Sequence, residues 1–426
     1  MSESNRVFIT GLSALTSSGA SADETWNAIL AGQQGLDEIK QWDLSTWGHH
    51  LGGELKNFQP AKMLPDRKLI KVISRQDVLG INAAMQAVEH SQLLSYRDTL
   101  ESAELFNDET AVFVGSPGNK YYQQYDFLPL LAKSGADMQQ FAGQLFSEVH
   151  PMWLLRILPN NVLAYTGITY GFKGVNHNIT NHAVGGMQAI IEAYHAIKAG
   201  HAARAVVVAY DVGTEPQALF YYDKLGVISS RHLKPFDSEH DGTILAEGAA
   251  ALVLESEASV QARAAACFGE ITGGMATSEA AGLFSIEAEG DPLASLIEDT
   301  LEKQALNPAD IGLVIAHGNG NKKSDLSEAQ AIKAVFGDYQ VPVTAFKWSM
   351  GHTLCASGIV DAVLATYALR DKCIPGIANF ISPSVACESI QVSHAHREMD
   401  ANTRHALVIN RGFASMNACL VIKACD

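Results

Sequence analysis

Apolar and polar positions along this chain fall into short blocks whose spacing switches between two periods. Arg6-Val7-Phe8-Ile9-Thr10 reads as a strand, followed by a Gly/Ser-rich turn and a helix near 24–31. Residues 70–90 have helical spacing, with Ile70, Val72, Ile73, Val78 and Leu79 on one side. Thr110–Val114 is an apolar run that stops at Gly115, as a buried strand does. The segment 116–160 is irregular and rich in aromatics, Gln and Leu, which predicts an inserted cap. Met187, Ile190, Ile191, Tyr194 and Ile197 mark a helix over 186–199, with Gly200 placed to close it. Ala205–Ala209 is continuously apolar, the pattern of a strand covered on both faces.

After a further strand at 249–255 the pattern starts again. A helix is predicted near 293–305, strands at 313–316 and 341–345, a helix at 356–370, and strands at 406–410 and 418–423. Strands alternating with helices imply parallel-rich sheets between helical layers. No Pro/Gly/Ser-rich linker interrupts the chain, so the expectation is one compact body of two similar halves, residues 1–255 and 256–426.

Composition narrows the classes. With 47% hydrophobic and 18% charged residues in 426, disorder is excluded and a large core is expected. A net charge of -16 argues against nucleic acid as a partner, because phosphate binding needs a basic excess. The six cysteines form no CxxC pair, so no zinc ribbon or redox motif can be built from neighbours, and reduced thiols are the default expectation. The first residues lack the basic flank and apolar run of a leader, and no apolar stretch approaches a membrane span. A cytoplasmic protein with no metal is expected.

Four loops could carry chemistry. Asn176–Gly186 runs into a helix, where free N–H groups and the dipole would favour a thiolate or an anionic intermediate, although the residues there also suit a plain helix start. Ala316-His317-Gly318-Asn319-Gly320-Asn321 follows an apolar strand but fits neither phosphate-loop pattern. His317 stands at the end of that strand, a place suited equally to catalysis in an open α/β sheet and to a structural histidine. Lys347-Trp348-Ser349-Met350-Gly351-His352 precedes another helix, and Arg411–Asn417 joins the two C-terminal strands.

Taken in order, these segments resemble those of the β-ketoacyl-acyl-carrier-protein synthases of the thiolase superfamily. Arg6–Gly11, Gly171–Asn176, Pro235-Phe236-Asp237, Glu247-Gly248, His317-Gly318 with Asp325 and Glu328, Lys347 with Gly351-His352, and Gly412-Phe413 with Asn417 carry the resemblance. It covers almost the whole chain and implies an α/β thiolase-like, five-layered αβαβα fold from two pseudo-repeated halves, with a dimer interface beside the site. It also implies a decarboxylating Claisen condensation. A Cys at a helix N-terminus takes the acyl chain as a thioester, and two histidines hold the malonyl thioester and its enolate. A Lys supports one histidine, and backbone N–H groups of the Cys and of a loop Phe form the oxyanion hole. His317, His352, Lys347 and Phe413 match the helpers.

The nucleophile does not match. Asn181-His182-Ala183-Val184 has Ala183 where the family has Cys, and a methyl group cannot form a thioester. No neighbour is expected to substitute: His182 points elsewhere in a regular helix start, and Cys355 lies on another loop. Asn319 and Asn321 replace the usual threonines that bind the pantetheine arm, and Ala414 and Ser415 put Cβ atoms into a loop that is glycine-rich in the family.

The resemblance therefore implies a Cys-less chain-length-factor-type subunit of a type II fatty acid, polyketide or polyene synthase. Such a subunit pairs with a Cys-bearing ketosynthase and works on the phosphopantetheine arm of an acyl carrier protein. The alternatives are a malonyl-carrier decarboxylase, a synthase captured as a Cys→Ala variant, forming a homodimer, or a non-synthase scaffold. Lys62, Arg67, Lys68, Lys71 and Arg75, opposed only by Asp66, form a candidate carrier-docking stretch or a solvated helix face.

Overall fold

The computed structural model describes residues 6–118, 120, 125–337 and 339–425. Ten strands make its main sheet: β1 (Val7–Thr16), β2 (Thr110–Gly115), β3 (Asn176–Ile179), β4 (Arg204–Val212), β5 (Glu247–Ser256), β6 (Gly269–Ser278), β7 (Ile311–Ile315), β8 (Val343–Thr344), β9 (His405–Gly412) and β10 (Met416–Lys423). The spatial order is β8-β7-β9-β10-β6-β1-β5-β4-β2-β3. The order within the first five strands (3-2-4-5-1) is repeated by the second five. Their first strands, β1 and β6, join antiparallel through Val7–Ile271, Phe8–Glu270 and Ile9–Gly269.

Five helices position the site: α1 (Arg75–His90), α2 (Gly185–Lys198), α3 (Asp291–Lys303), α4 (Lys322–Phe336) and α5 (Ser357–Asp371). α1 lies on the outer face of the first half-sheet, α3 and α4 belong to the outer layer of the second, and α2 and α5 pack between the two. The result is the thiolase-like five-layered αβαβα fold. Strand β4 shows why its continuous apolar run is needed. Val206, Val208, Tyr210 and Val212 join the cluster that contains Val78, Leu79 and Ala83 of α1. The alternate residues Ala205, Val207 and Ala209 join the cluster around α2 and α5. Helix α5 is buried from Ser357 to Leu369, as a helix covered on both sides must be.

Several sequence expectations change. The sheets are mixed rather than parallel-rich, each half having two parallel and two antiparallel pairings. At β9–β10 the three-residue connection Phe413–Ser415 allows only an antiparallel return. The helix expected over 70–90 is divided into a 3-10 turn, Arg67–Lys71, and α1, because Ser74 and Asp77 form a capping box. The expected strand at 341–345 shrinks to Val343–Thr344. Strand β6 was not anticipated, since Gly273-Gly274 breaks its apolar pattern. A Cβ at Gly273 would stand 2.0 Å from the Gln304 side chain, so glycine is what lets that chain cross the strand. Cys267 and Cys425 form a disulfide, with Cα atoms 6.2 Å apart, against the expectation of six reduced thiols. The β6–β10 pairing brings together residues 158 apart, which no local spacing reveals.

Candidate active site

The loop ahead of α2 is where a nucleophile would be held. Ala183 lies there fully buried, does not line the cavity, and is followed by α2 from Gly185. His182 does line it. Its φ of 47° is left-handed and turns the side chain away from the path a helical residue would take. The expectation that His182 points elsewhere is therefore corrected, since the helix begins only after this turn.

The His182 ring closes a latch. The Phe413 backbone N–H donates to His182 Nδ1 at 3.1 Å, and His182 Nε2 lies 2.6 Å from the Tyr222 hydroxyl. Because Nδ1 accepts, the neutral ring carries its proton on Nε2 and donates it to Tyr222. Burial lowers the His182 pKa to about 4, so the ring stays neutral at ordinary pH. Its plane stacks on Phe413 at 4.4 Å and 14°. Thus the N–H of Phe413 is occupied by a side chain of the same molecule. The loop beyond is held as well. Ala414 and Ser415 have φ of 61° and 57°, Ala414 N–H donates to Leu283 O at 2.7 Å, and Ser415 Oγ donates to Gly282 O at 2.7 Å.

His317 and His352 meet beside this latch, ring centroids 5.1 Å apart at 81°. Both are almost wholly buried and both line a cavity of about 330 Å³. His317 hangs from the end of β7, its N–H and that of Gly318 held by the two Glu328 oxygens at 2.7 and 3.0 Å. Nδ1 of His317 accepts the Arg411 N–H at 3.3 Å, and Nδ1 of His352 accepts the Leu354 N–H at 3.3 Å. Each neutral ring therefore keeps its proton on Nε2. Burial, and next the charge of Lys347, hold both imidazoles well below their usual range. Lys347 Nζ bonds Asp361 Oδ2 at 3.0 Å in a pair only 2% exposed on each side. No direct hydrogen bond to a histidine is seen for it among the described residues. Lys347 thus acts on the two imidazoles through its charge.

The Asn319 side-chain amide stands 3.3 Å from His317 Nε2, and its Oδ1 accepts the Asn321 N–H at 3.0 Å. Asn321 Oδ1 caps α4 by accepting from Lys323 and Ser324. Both asparagines line the cavity. Lys62, Arg67, Lys68 and Lys71 are exposed. Arg75 does not belong with them: it pairs with buried Glu247 at 2.8 Å and stacks on Phe58 at 3.7 Å. Sequence reading missed Tyr222 entirely, and nothing in its local pattern marks it.

Comparison with known proteins follows the same lines. Models of the β-ketoacyl synthase N-terminal and C-terminal domains match residues 4–259 and 268–381. The chain is 27% identical to "3-oxoacyl-[acyl-carrier-protein] synthase 2" of Staphylococcus aureus (strain COL) over 430 residues, covering 99% of each chain. It is also 27% identical to the protein of that name from Synechocystis, over 429 residues, covering 99% of this chain and 98% of the relative. Among solved structures, "the ishigamide ketosynthase/chain length factor" superposes with a TM-score of 0.89 at 23% identity, covering all of both chains. A β-ketoacyl synthase from Burkholderia phymatum superposes with a TM-score of 0.87 at 23% identity, covering 99% of this chain and 100% of that one.

Proposed function

Since this chain belongs to the β-ketoacyl synthase family, we propose that it is the non-acylated subunit of a ketosynthase pair. In this reading it is a chain-length-factor-type protein that completes the pocket of a Cys-bearing partner in a heterodimer. The pair would extend carrier-bound chains in a type II fatty acid, polyketide or polyene pathway of the cytoplasm. One observation carries the reading: Ala183 is fully buried and offers no thiol, while His182 occupies the Phe413 N–H. In this reading the thioester has no sulfur to form on, and one of the two donors that would hold its oxyanion is already engaged, so two loops support the loss of covalent chemistry. A single Cys→Ala replacement in an otherwise working synthase would leave the second loop free, which argues against the captured-variant reading. The resemblance of fold to a ketosynthase/chain length factor supports the same view. The 1–255 and 256–426 halves would then act as one body, with chemistry divided between them.

The test is acylation. Incubated with acyl-carrier protein, this chain alone should show no acyl adduct by intact mass, and it should co-purify with a Cys-bearing homologue. Ala183→Cys alone should restore little condensation, because the oxyanion donor stays occupied. Full activity of that variant as a homodimer would refute the subunit reading.

A second reading rests on the histidine pair. His317 and His352, each with its proton on Nε2, are suited to hold a malonyl thioester carbonyl and the enolate that forms as CO₂ leaves, a step that needs no thiolate. Release of CO₂ from malonyl-carrier protein by this chain alone, lost in His317→Ala, would favour it.

A further inference from the structure

The two halves join at the end of the sheet away from the cavity. Strand β9 runs from His405, paired with Lys423, to Gly412 on the cavity wall, so the end of β10 and the start of β6 lie at the far end. There Val7, Phe8 and Ile9 of β1 pair with Ile271, Glu270 and Gly269 of β6. The segment entering β6 is anchored to the first half. Phe268 N–H donates to Ile9 O at 2.9 Å, and its ring stacks on His90, the last residue of α1, at 4.6 Å. Glu270 accepts two bonds from Arg6, at 3.0 and 2.6 Å, and pairs in register with Lys423, the last residue of β10. Cys267 precedes this segment, Cys425 lies two residues past β10, and the disulfide closes the seam.

Both of these cysteines are half-buried, so a small thiol has access to them. Past Lys423 the backbone leaves the ladder, where Ala424 N–H donates to Arg404 O at 2.8 Å and Arg404 donates to Ala424 O at 3.2 Å. The bond can therefore be attacked without opening the sheet. The other cysteines are poorly suited to the same chemistry. Cys355, Cys387 and Cys419 are buried, and burial pushes their thiols and that of Cys373 above the usual range, which starves them of thiolate.

Accessible disulfides are the reducible kind, whereas sealed structural ones resist the thiol pool. In the cytoplasm, where the reading above places the pathway, disulfides that persist usually serve redox sensing. We propose that Cys267–Cys425 is a reversible redox clasp on the seam between the halves, closed by a small disulfide of the glutathione type and opened by the corresponding thiol. In closing, the thiolate of one cysteine attacks the small disulfide, forming a mixed disulfide and expelling one thiolate. The second cysteine then displaces the other. Two electrons pass from the protein dithiol to the small disulfide, which leaves as two thiols carrying the two protons. Closing constrains residues 158 apart in sequence, which makes the closed form the more stable one. Neither cysteine lines the cavity, so the clasp is tested separately from the subunit reading.

The full chain is equilibrated at varied ratios of reduced to oxidised glutathione, quenched with acid, alkylated and read by peptide mass. Cys267 and Cys425 should lose and regain alkylation together as the ratio is moved in either direction, while Cys355, Cys387 and Cys419 stay thiols. Opening should speed hydrogen exchange about tenfold in peptides covering 264–272 and 418–425 and leave a peptide covering 311–321 unchanged. It should lower the thermal midpoint by about 5 °C. Cys267→Ser/Cys425→Ser should match the reduced wild type in both buffers, and the wild-type readings decide the matter even if that variant does not fold. A pair that stays reduced in excess oxidised glutathione, a disulfide that persists in excess reduced glutathione, or a double variant whose midpoint still follows the buffer would overturn the proposal. So would reduction that changes neither the midpoint nor exchange at the seam.

Discussion

Replacing His182 with alanine should open the loop that carries Phe413. The substitution removes the Phe413 N–H···Nδ1 bond of 3.1 Å and the Tyr222 bond of 2.6 Å, and it deletes the ring stacked 4.4 Å from Phe413. At about 1 kcal/mol per net hydrogen bond and about 1 kcal/mol for the ring pair, the loop loses roughly 3 kcal/mol of local stability. His182→Phe keeps the ring and should lose about 2 kcal/mol, the two bonds alone. Hydrogen exchange read by mass spectrometry on a peptide spanning Arg411–Asn417 measures this directly, because exchange there requires local opening. With about 1.4 kcal/mol per tenfold, the alanine variant should exchange roughly a hundredfold faster and the phenylalanine variant about thirtyfold faster. Exchange within about threefold of wild type in both variants would refute the latch and, with it, the claim that the Phe413 N–H is held shut.

Three further outcomes are expected. Burial raises the Asp211 carboxyl to about 7, so the folded state binds a proton that the unfolded chain releases, and stability falls as pH rises from about 4 to about 7. Asp211→Asn should therefore gain stability over wild type at pH 8 and lose that advantage near pH 4, as followed by urea midpoints. Thiol titration under denaturing, non-reducing conditions should count four cysteines, Cys355, Cys373, Cys387 and Cys419, rising to six after reduction. Charge reversal at Arg67 and Lys68 should weaken carrier binding at low salt without altering the thermal midpoint, since both side chains are exposed; unchanged affinity would exclude this face as the docking site.

What the sequence makes legible here follows from how local each signal is. Strand β4 and helices α2 and α5 announce themselves because burial on both sides demands unbroken apolar runs. His317, His352 and Lys347 could be proposed because each lies in a loop beside a recognisable strand or helix. Strand β6 could not, because Gly273-Gly274 answers to a distant side chain, Gln304. The role of His182 depends on one left-handed φ, which histidine adopts rarely enough that the helical assumption gave the wrong direction. Arg75 looks like its basic neighbours in a list of letters, but a buried carboxylate 172 positions away claims it. The mixed direction of the sheets and the Cys267–Cys425 bond are likewise facts of pairing between remote strands.

The seam between β1 and β6 makes the two halves a single ribbon of backbone hydrogen bonds, yet they bring different groups to the cavity. His182 comes from the first half, and His317, His352 and Phe413 come from the second. A substitution in the loop ahead of α2 therefore leaves in place the strand and loops that hold His317 and His352 5.1 Å apart, because the other repeat carries both imidazoles.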